Sequence, residues 1–236
     1  MDRECKSEIP QVGIFMHRVG EMHRQQLASL ANTRCDFDLL YRIGPGTAHA
    51  NINHIIRRAT SKYLAICDDD VEFLDSEWLT TLISVLKENP RAGMVVPVEL
   101  KEKAQRDAYV EHGWCEAIPK PGYDIAELSW LPGFVMVFDR ERTPNIMADE
   151  NIPGVSQMSD LDLSLQVRSE GYQCLLTSRT AVYHPHKPSD YTWRKQWQIV
   201  SANDLGPLHE QQSNYMLQKW GSFYQESHGQ RVIGKT

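Results

Sequence analysis

Apolar residues in this chain follow two alternating patterns: short continuous runs, and longer segments in which they recur every three or four positions. The first pattern predicts strands and the second helices. Gln11 to Phe15 is the first run, and Met16 to Gly20 makes the turn at its carboxyl end, the place where ligands bind in open α/β sheets. A helix is expected over about 21–31, with Met22, Leu27 and Leu30 as its apolar side. Phe37 to Ile43 is a second strand, closed by the breaker Gly44-Pro45-Gly46. From Ala48, the positions Ala48, Ile52, Ile55, Ile56 and Ala59 predict a helix that leads into a buried strand, Leu64 to Cys67. Asp75 or Ser76 then caps a helix with the stripe Leu79, Leu82, Ile83 and Leu86, stopped by Asn89-Pro90, and Met94 to Val98 is the next strand. Strictly alternating strands and helices imply a parallel sheet covered on both faces, an α/β fold.

The rhythm breaks over 99–129, which reads as a variable excursion containing Trp114, Pro119, Pro121 and Gly122. Phe134 to Phe138 is a strand entered through Trp130-Leu131-Pro132-Gly133, and 142–158 is a long polar loop of the kind that serves as a lid or binding segment. Ser159 to Arg168 is ambiguous. Leu161, Leu163, Leu165 and Val167 alternate like a strand, whereas Ser159 with Asp162 makes a capping box for a helix. Asp160 and Asp162 in a first helical turn would complement the macrodipole. Cys174 to Leu176 and Ala181 to Tyr183 read as a hairpin, and His184-Pro185-His186 closes the domain. Beyond it the chain is rich in aromatics and Gln, with a helix expected over about 208–219 and no internal repeat.

The 236 residues are 41% hydrophobic with a net charge of −6, enough for a full core and unfavourable for indiscriminate nucleic-acid binding. Arg57, Arg58 and Lys62 form a local patch that could still meet phosphate but reads first as a solvated helix face, and His49 and His54 read as ordinary surface or flank histidines. Five scattered cysteines form neither a disulfide framework nor a zinc spacing, which fits reduced thiols. No transmembrane segment is expected, since no apolar run approaches the roughly 18–20 residues of a span, and the N-terminus lacks an apolar signal core. The expectation is a cytoplasmic protein.

The chemistry concentrates where the third strand stops, at Asp68, Asp69 and Asp70. Three successive carboxylates repel one another unless water, donors or a cation neutralise them, and strand alternation would put Asp68 and Asp70 on one side. Such an oxygen pair suits a hard divalent ion, Mg²⁺ or Mn²⁺, which takes further ligands from phosphate. An acidic turn without a metal is the plainer alternative, and the stretch does not read as an EF-hand, since neither its alternating ligands nor its Gly follows.

With these residues placed, the chain resembles the nucleotide-sugar glycosyltransferases of the GT-A fold, family two in particular, from about residue 11 to 186. Ala50-Asn51 through Asp70 looks like the family's approach helix and Asp-x-Asp strand. Ser159-Asp160-Leu161-Asp162-Leu163-Ser164 with Gly171-Tyr172 looks like its Glu-Asp-x-Asp helix, with Ser159 in place of the Glu, and His184 sits like its histidine after the last strand. Lys219-Trp220-Gly221 is similar to a tail of some members. The resemblance implies a Rossmann-like, mostly parallel central sheet flanked by helices with a C-terminal helical extension, and it makes Ser159 to Gly171 helical. It further implies a catalytic unit over 1–186, with 187–236 packed on it and available to the acceptor.

By that pattern Asp70, Asp68 and His184 hold the metal, and Asp160 is the base that makes the transfer inverting. Asp68, Asp69, Gly133 and the turn Met16-His17-Arg18 meet the nucleotide sugar. That turn departs from the family's usual Pro-x-Tyr-Asn, and Arg42-Ile43-Gly44-Pro45 replaces its acidic turn after the second strand, which leaves the donor's base and sugar open. Gln196-Trp197 lacks the Gln-x-x-Arg-Trp spacing of processive synthases, so single additions are expected. The implied donor is a nucleoside-diphosphate sugar, a UDP-sugar first. The acceptor is a glycan, a lipid-linked sugar, a protein or a modified nucleic acid, and the oligomeric state is open. Trp114, Trp130, Trp193 and Trp197 are candidates to stack on sugar rings or to fill core. A nucleotidyltransferase is the rival enzyme class, although Gly13 to Gly20 is only a thin version of its phosphate loop. A sugar-nucleotide-binding module without turnover is the non-enzymatic alternative.

Overall fold

The computed structural model describes residues 8–16, 24–43, 46–154, 157–185 and 205–229. Its elements are β1 (Gln11–Met16), α1 (Arg24–Ala31), β2 (Asp38–Ile43), α2 (Ala48–Arg58), β3 (Tyr63–Asp68), β4 (Glu72–Phe73), α3 (Trp78–Glu88) and β5 (Ala92–Leu100). There follow α4 (Lys103–His112), β6 (Ile125–Leu128), β7 (Val135–Asp139), α5 (Ser159–Ser169), β8 (Gln173–Tyr183), α6 (Leu205–Trp220) and α7 (Ser222–Gly229). The expected start of the first helix at 21–23, the breaker pair Gly44-Pro45, His186, Trp193, Gln196 and Trp197 lie outside the described residues.

The strands form one sheet in the order β2-β1-β3-β7-β5-β8-β4, with β6 also paired to β8. The α/β architecture is as expected, but the sheet is mixed. Strands β2, β1 and β3 are mutually parallel, as are β5 and β8, while β7 runs against both β3 and β5. A buried apolar run reports that a strand is covered on both faces, not which way it points. The direction of β7 is set by the excursion before it, which is built from α4 and β6 rather than irregular chain.

Alternate residues of the central strands feed two cores. Tyr63, Ala65 and Cys67 of β3 join Val135 and Val137 of β7 under α3, with Trp78, Leu79, Leu82 and Leu86. Leu64 and Ile66 join Met136 and Phe138 against Ile52 and Ile55 of α2 and Leu163 and Val167 of α5. Each such aliphatic side chain contributes about 1.5–3 kcal/mol on burial. Gly13 in β1 lets α2 approach closely, since a Cβ there would run into Ile55 Cγ2. At the start of α2 the Thr47 hydroxyl caps the helix by accepting from the Ala50 amide at 3.2 Å.

The ambiguous segment is the helix α5, and its packing explains the misleading alternation. Leu163 and Val167 face the sheet, whereas Leu161 and Leu165 form a separate cluster with Ile152, Met216 and Tyr224, beneath α6 and α7. A helix covered on two sides loses the single apolar stripe that marks helical period. The capping box does not form: Ser159 is already helical, and Met158, at φ 69°, is the cap without a side-chain bond. The predicted hairpin is one bulged strand, β8, parallel to β5 throughout. Its polar middle stays extended because the hydroxyls of Thr177 and Ser178 donate to the carbonyls of Asp124 and Tyr123.

His49, read as an ordinary surface or flank histidine, is fully buried on α2, while His54 is partly exposed beside Arg58. The polar loop after β7 is anchored rather than loose. Asn53 of α2 pairs with the backbone of Ala148 in both directions, at 2.7 and 2.8 Å, and Tyr215 and Lys219 of α6 donate to Asp149 at 2.8 and 2.7 Å. Among the described residues, no helix is long and apolar enough to cross a membrane.

Candidate active site

The acidic cluster lies where β3 leaves the sheet. Asp68 is the last strand residue, and its backbone is held on both sides: its amide donates to the Phe134 carbonyl at 3.0 Å, and its carbonyl accepts from Gln26 Nε2 at 2.5 Å. Asp69 and Asp70 lie in a turn. Asp70 therefore comes beside Asp68 because the chain turns back, not by strand alternation.

His184, immediately after β8, faces the pair because β8 is long enough to reach this end of the sheet. Its Nε2 is 3.1 Å from Asp70 Oδ1 and 3.9 Å from Asp68 Oδ2, and its Nδ1 is 2.8 Å from Glu99 Oε1 at the end of β5. One ligand atom from each of Asp68, Asp70 and His184 falls within 4.8 Å of the others. The electrostatics follow from crowding. Burial first, then the charges of Asp70, Asp69 and Asp160, push Asp68 up to about 8, with His184 pulling against them. Burial works to lower His184, but hydrogen bonds with Asp70 and Glu99 and the charges of Asp68 and Asp70 outweigh it and raise it to about 10.

This donor set fits a hard divalent ion: two carboxylates and an imidazole converge, and the far nitrogen of that imidazole is fixed by a carboxylate, as in histidine–metal sites. Glu99 escaped sequence reasoning. Its only signal is a charge within the apolar run Val96 to Leu100, and its partner lies 85 positions away. Gln26 carried no signal at all.

Asp160 occupies the first turn of α5, with Oδ1 accepting from the Leu161 amide at 2.9 Å. Burial raises its carboxyl above the ordinary value, against the backbone amides of Leu161, Asp160 and Gly133. Gly133 lies directly against it: a Cβ there would stand 3.1 Å from Asp160 Cβ. The entrance to β7 thus touches both acids, with Phe134 on the Asp68 backbone and Gly133 on Asp160. Asp162 points elsewhere and accepts from Lys219 and Trp220 of α6. Met16 ends β1 beside Ile43, while His17 and Arg18 lie outside the described residues.

The fold is that of GT-A glycosyltransferases. A mannosyltransferase from Pyrobaculum calidifontis, solved with GDP-Man and Mn2+, is similar at TM-score 0.56 and 13% identity over 95% of this chain and 75% of its own. Residues 1–349 of S. aureus TarS give 0.53 and 10%, covering 89% and 72%. GalNAc-T7 with UDP, GalNAc and Mn2+ gives 0.57 and 12%, covering 76% and 44%. At these identities the likeness is one of fold. In sequence, the model of Glycosyl transferase family 2 matches residues 24–143, just over half of the chain, and the chain belongs to that family of glycosyltransferases. No curated protein matches it in sequence.

Proposed function

We propose that this glycosyltransferase moves a single sugar from a nucleoside-diphosphate sugar to an acceptor hydroxyl with inversion, using Mn²⁺ or Mg²⁺. The observation that carries the reading is the convergence of Asp68, Asp70 and His184, braced by Glu99, with the partly buried carboxyl of Asp160 close enough for its charge to act on Asp68. Asp70, Asp68 and His184 would hold the ion, which when bound would supply positive charge to neutralise the departing diphosphate. To hold an ion, His184 would first have to release the proton that Asp70 and Glu99 favour on it. Asp160, made more basic by burial, takes the proton from the acceptor hydroxyl and directs attack opposite the diphosphate. Asp69, Gly133 and the turn from Met16 through Arg18 border the donor. UDP-sugars are the first choice, and GDP-sugars belong in the same screen because a structural neighbour was solved with GDP-Man.

Residues 1–186 are the catalytic unit, and 187–236 an extension packed on it and available to the acceptor; the grip of Lys219 and Trp220 on Asp162 supports that packing. Four described cysteines are free thiols, which agrees with a cytoplasmic setting. The test is incubation with a nucleotide sugar and Mn²⁺. Release of nucleoside diphosphate that stops on chelation supports the reading, and pyrophosphate released from a nucleoside triphosphate would replace it with nucleotidyl transfer. Asp160→Asn is expected to abolish transfer while donor binding, read by thermal shift, survives. Comparable turnover in that variant removes Asp160 from the mechanism.

A further inference from the structure

The strap 129–133 runs antiparallel along one stripe of α5. Arg168 Nη1 donates to the Ser129 carbonyl at 3.3 Å, the Leu131 amide donates to Ser164 Oγ at 3.0 Å, and Gly133 lies against Asp160. Ser164 Oγ in turn donates to the Asp160 carbonyl at 2.7 Å. Positions 160, 164 and 168 are successive turns of the same helix face. The residues on either side of Trp130 are thus pinned to the helix that carries the candidate base, and Leu131 beside it is fully buried.

Trp130 nevertheless stays 41% exposed. The other described tryptophans are used by the fold. Trp78 is buried on Phe73 and donates to Thr33, Trp114 donates to the Ser178 carbonyl, and Trp220 donates to Asp162. At 1.5 Å per residue, Ser164 and Arg168 lie about 6 and 12 Å along the axis from Asp160, and the backbone of Trp130 is held between their levels. That is a span a sugar ring or two covers.

We infer that Trp130 is the stacking platform for a carbohydrate acceptor, presenting its indole face to the apolar C–H face of a pyranose whose neighbouring hydroxyl reaches Asp160. The inference rests on the reading of Asp160 given above. It narrows the acceptor to a sugar, free or carried on a larger molecule. A rigid, amphipathic ring loses little conformational entropy on contact, which suits it to a face that is wet until substrate arrives.

The experiment uses a panel of methyl pyranosides at tens of millimolar. In two-dimensional NMR the Trp130 indole N–H, assigned by its disappearance in Trp130→Phe, is expected to shift on addition of pyranosides. In steady-state transfer with the best of them, Trp130→Ala is expected to raise the acceptor KM roughly tenfold, the scale of one aromatic contact, with the larger effect on KM than on kcat, and Trp130→Phe to restore most of it. A resonance that no sugar moves, one moved instead by phosphatidylglycerol vesicles or free nucleotide, or an unchanged KM in Trp130→Ala overturns the inference. Metal-dependent donor hydrolysis by the wild-type chain reads the proposed function separately. Its absence would count against that reading, while the NMR titration still decides the role of Trp130.

Discussion

Asp162 is the carboxylate from which the C-terminal helices hang, and removing it gives a quantitative test of the packing. It is fully buried. Its Oδ1 accepts from Lys219 Nζ at 2.7 Å and Trp220 Nε1 at 2.9 Å, and its Oδ2 from Gln166 Nε2 at 2.7 Å and the Asp149 amide at 3.3 Å. Asp162→Ala leaves all of these donors without that acceptor, and breaking a buried charged pair costs about 3–5 kcal/mol. Lys219 is 28% exposed and recovers water, and Asp149 still accepts from it, so the lower end of that range applies. For a chain of this length about 3 kcal/mol corresponds to a fall in Tm of roughly 6–12 °C. The structure also says where the loss falls: the apolar contacts of Met216 and Tyr224 with Leu161 and Leu165 open first. Thermal and urea unfolding followed by circular dichroism measure the magnitude, and hydrogen exchange of the α6 amides measures the place. A double-mutant cycle with Lys219→Met should show a coupling of about 0.5–3 kcal/mol. A fall in Tm under about 2 °C, or α6 amides no less protected than in wild type, would refute the argument.

Glu99→Gln keeps the shape but weakens the brace on His184 Nδ1, and is expected to lower apparent Mn²⁺ affinity roughly 10–100-fold, read by metal-dependent thermal shift. Gly133→Ala places a Cβ 3.1 Å from Asp160 Cβ, so Asp160 must move by a few tenths of an ångström. Transfer should drop roughly tenfold while Tm moves only a few degrees, and equal losses in both would point to a folding defect instead. Burial works to raise the Asp149 carboxyl, but Lys219, the Asn151 amide and Tyr215 outweigh it and hold it below the ordinary value. A depressed carboxyl contributes stability above its unfolded pKa of about 3.9, and that contribution drains away as pH falls below it. Protection of α6 should therefore decline in acid, and decline less in Asp149→Asn.

Where each kind of reasoning succeeded follows from range. Strands β1, β2, β3, β5 and β7 and helices α2 and α3 were legible because their burial is written into the local period of apolar residues. So was Asp68 to Asp70, since a run of like charges at a strand end needs compensation wherever it sits. Helix α5 was legible only through its resemblance to a family motif. Its own leucines alternate because it is gripped from two sides, and one of those grips, by Met216 and Tyr224, comes from residues more than fifty positions later. β8 read as a hairpin because Thr177 and Ser178 look like turn residues until the carbonyls of Tyr123 and Asp124 are placed beside them.

By itself the chain's sequence determined that there is an α/β sheet, that an acidic turn ends its third strand, and that a histidine and a second acid pair stand ready further along. Only the tertiary structure decided that β7 runs against its neighbours, that Glu99 and not solvent faces the back of His184, and that Asp162 serves the C-terminal helices while Asp160 lies close enough for its charge to act on Asp68. Periodicity is a property of a dozen consecutive residues. Strand direction and the meeting of charged groups depend on contacts between segments far apart in the chain, which become definite only when the two cores close on the sheet.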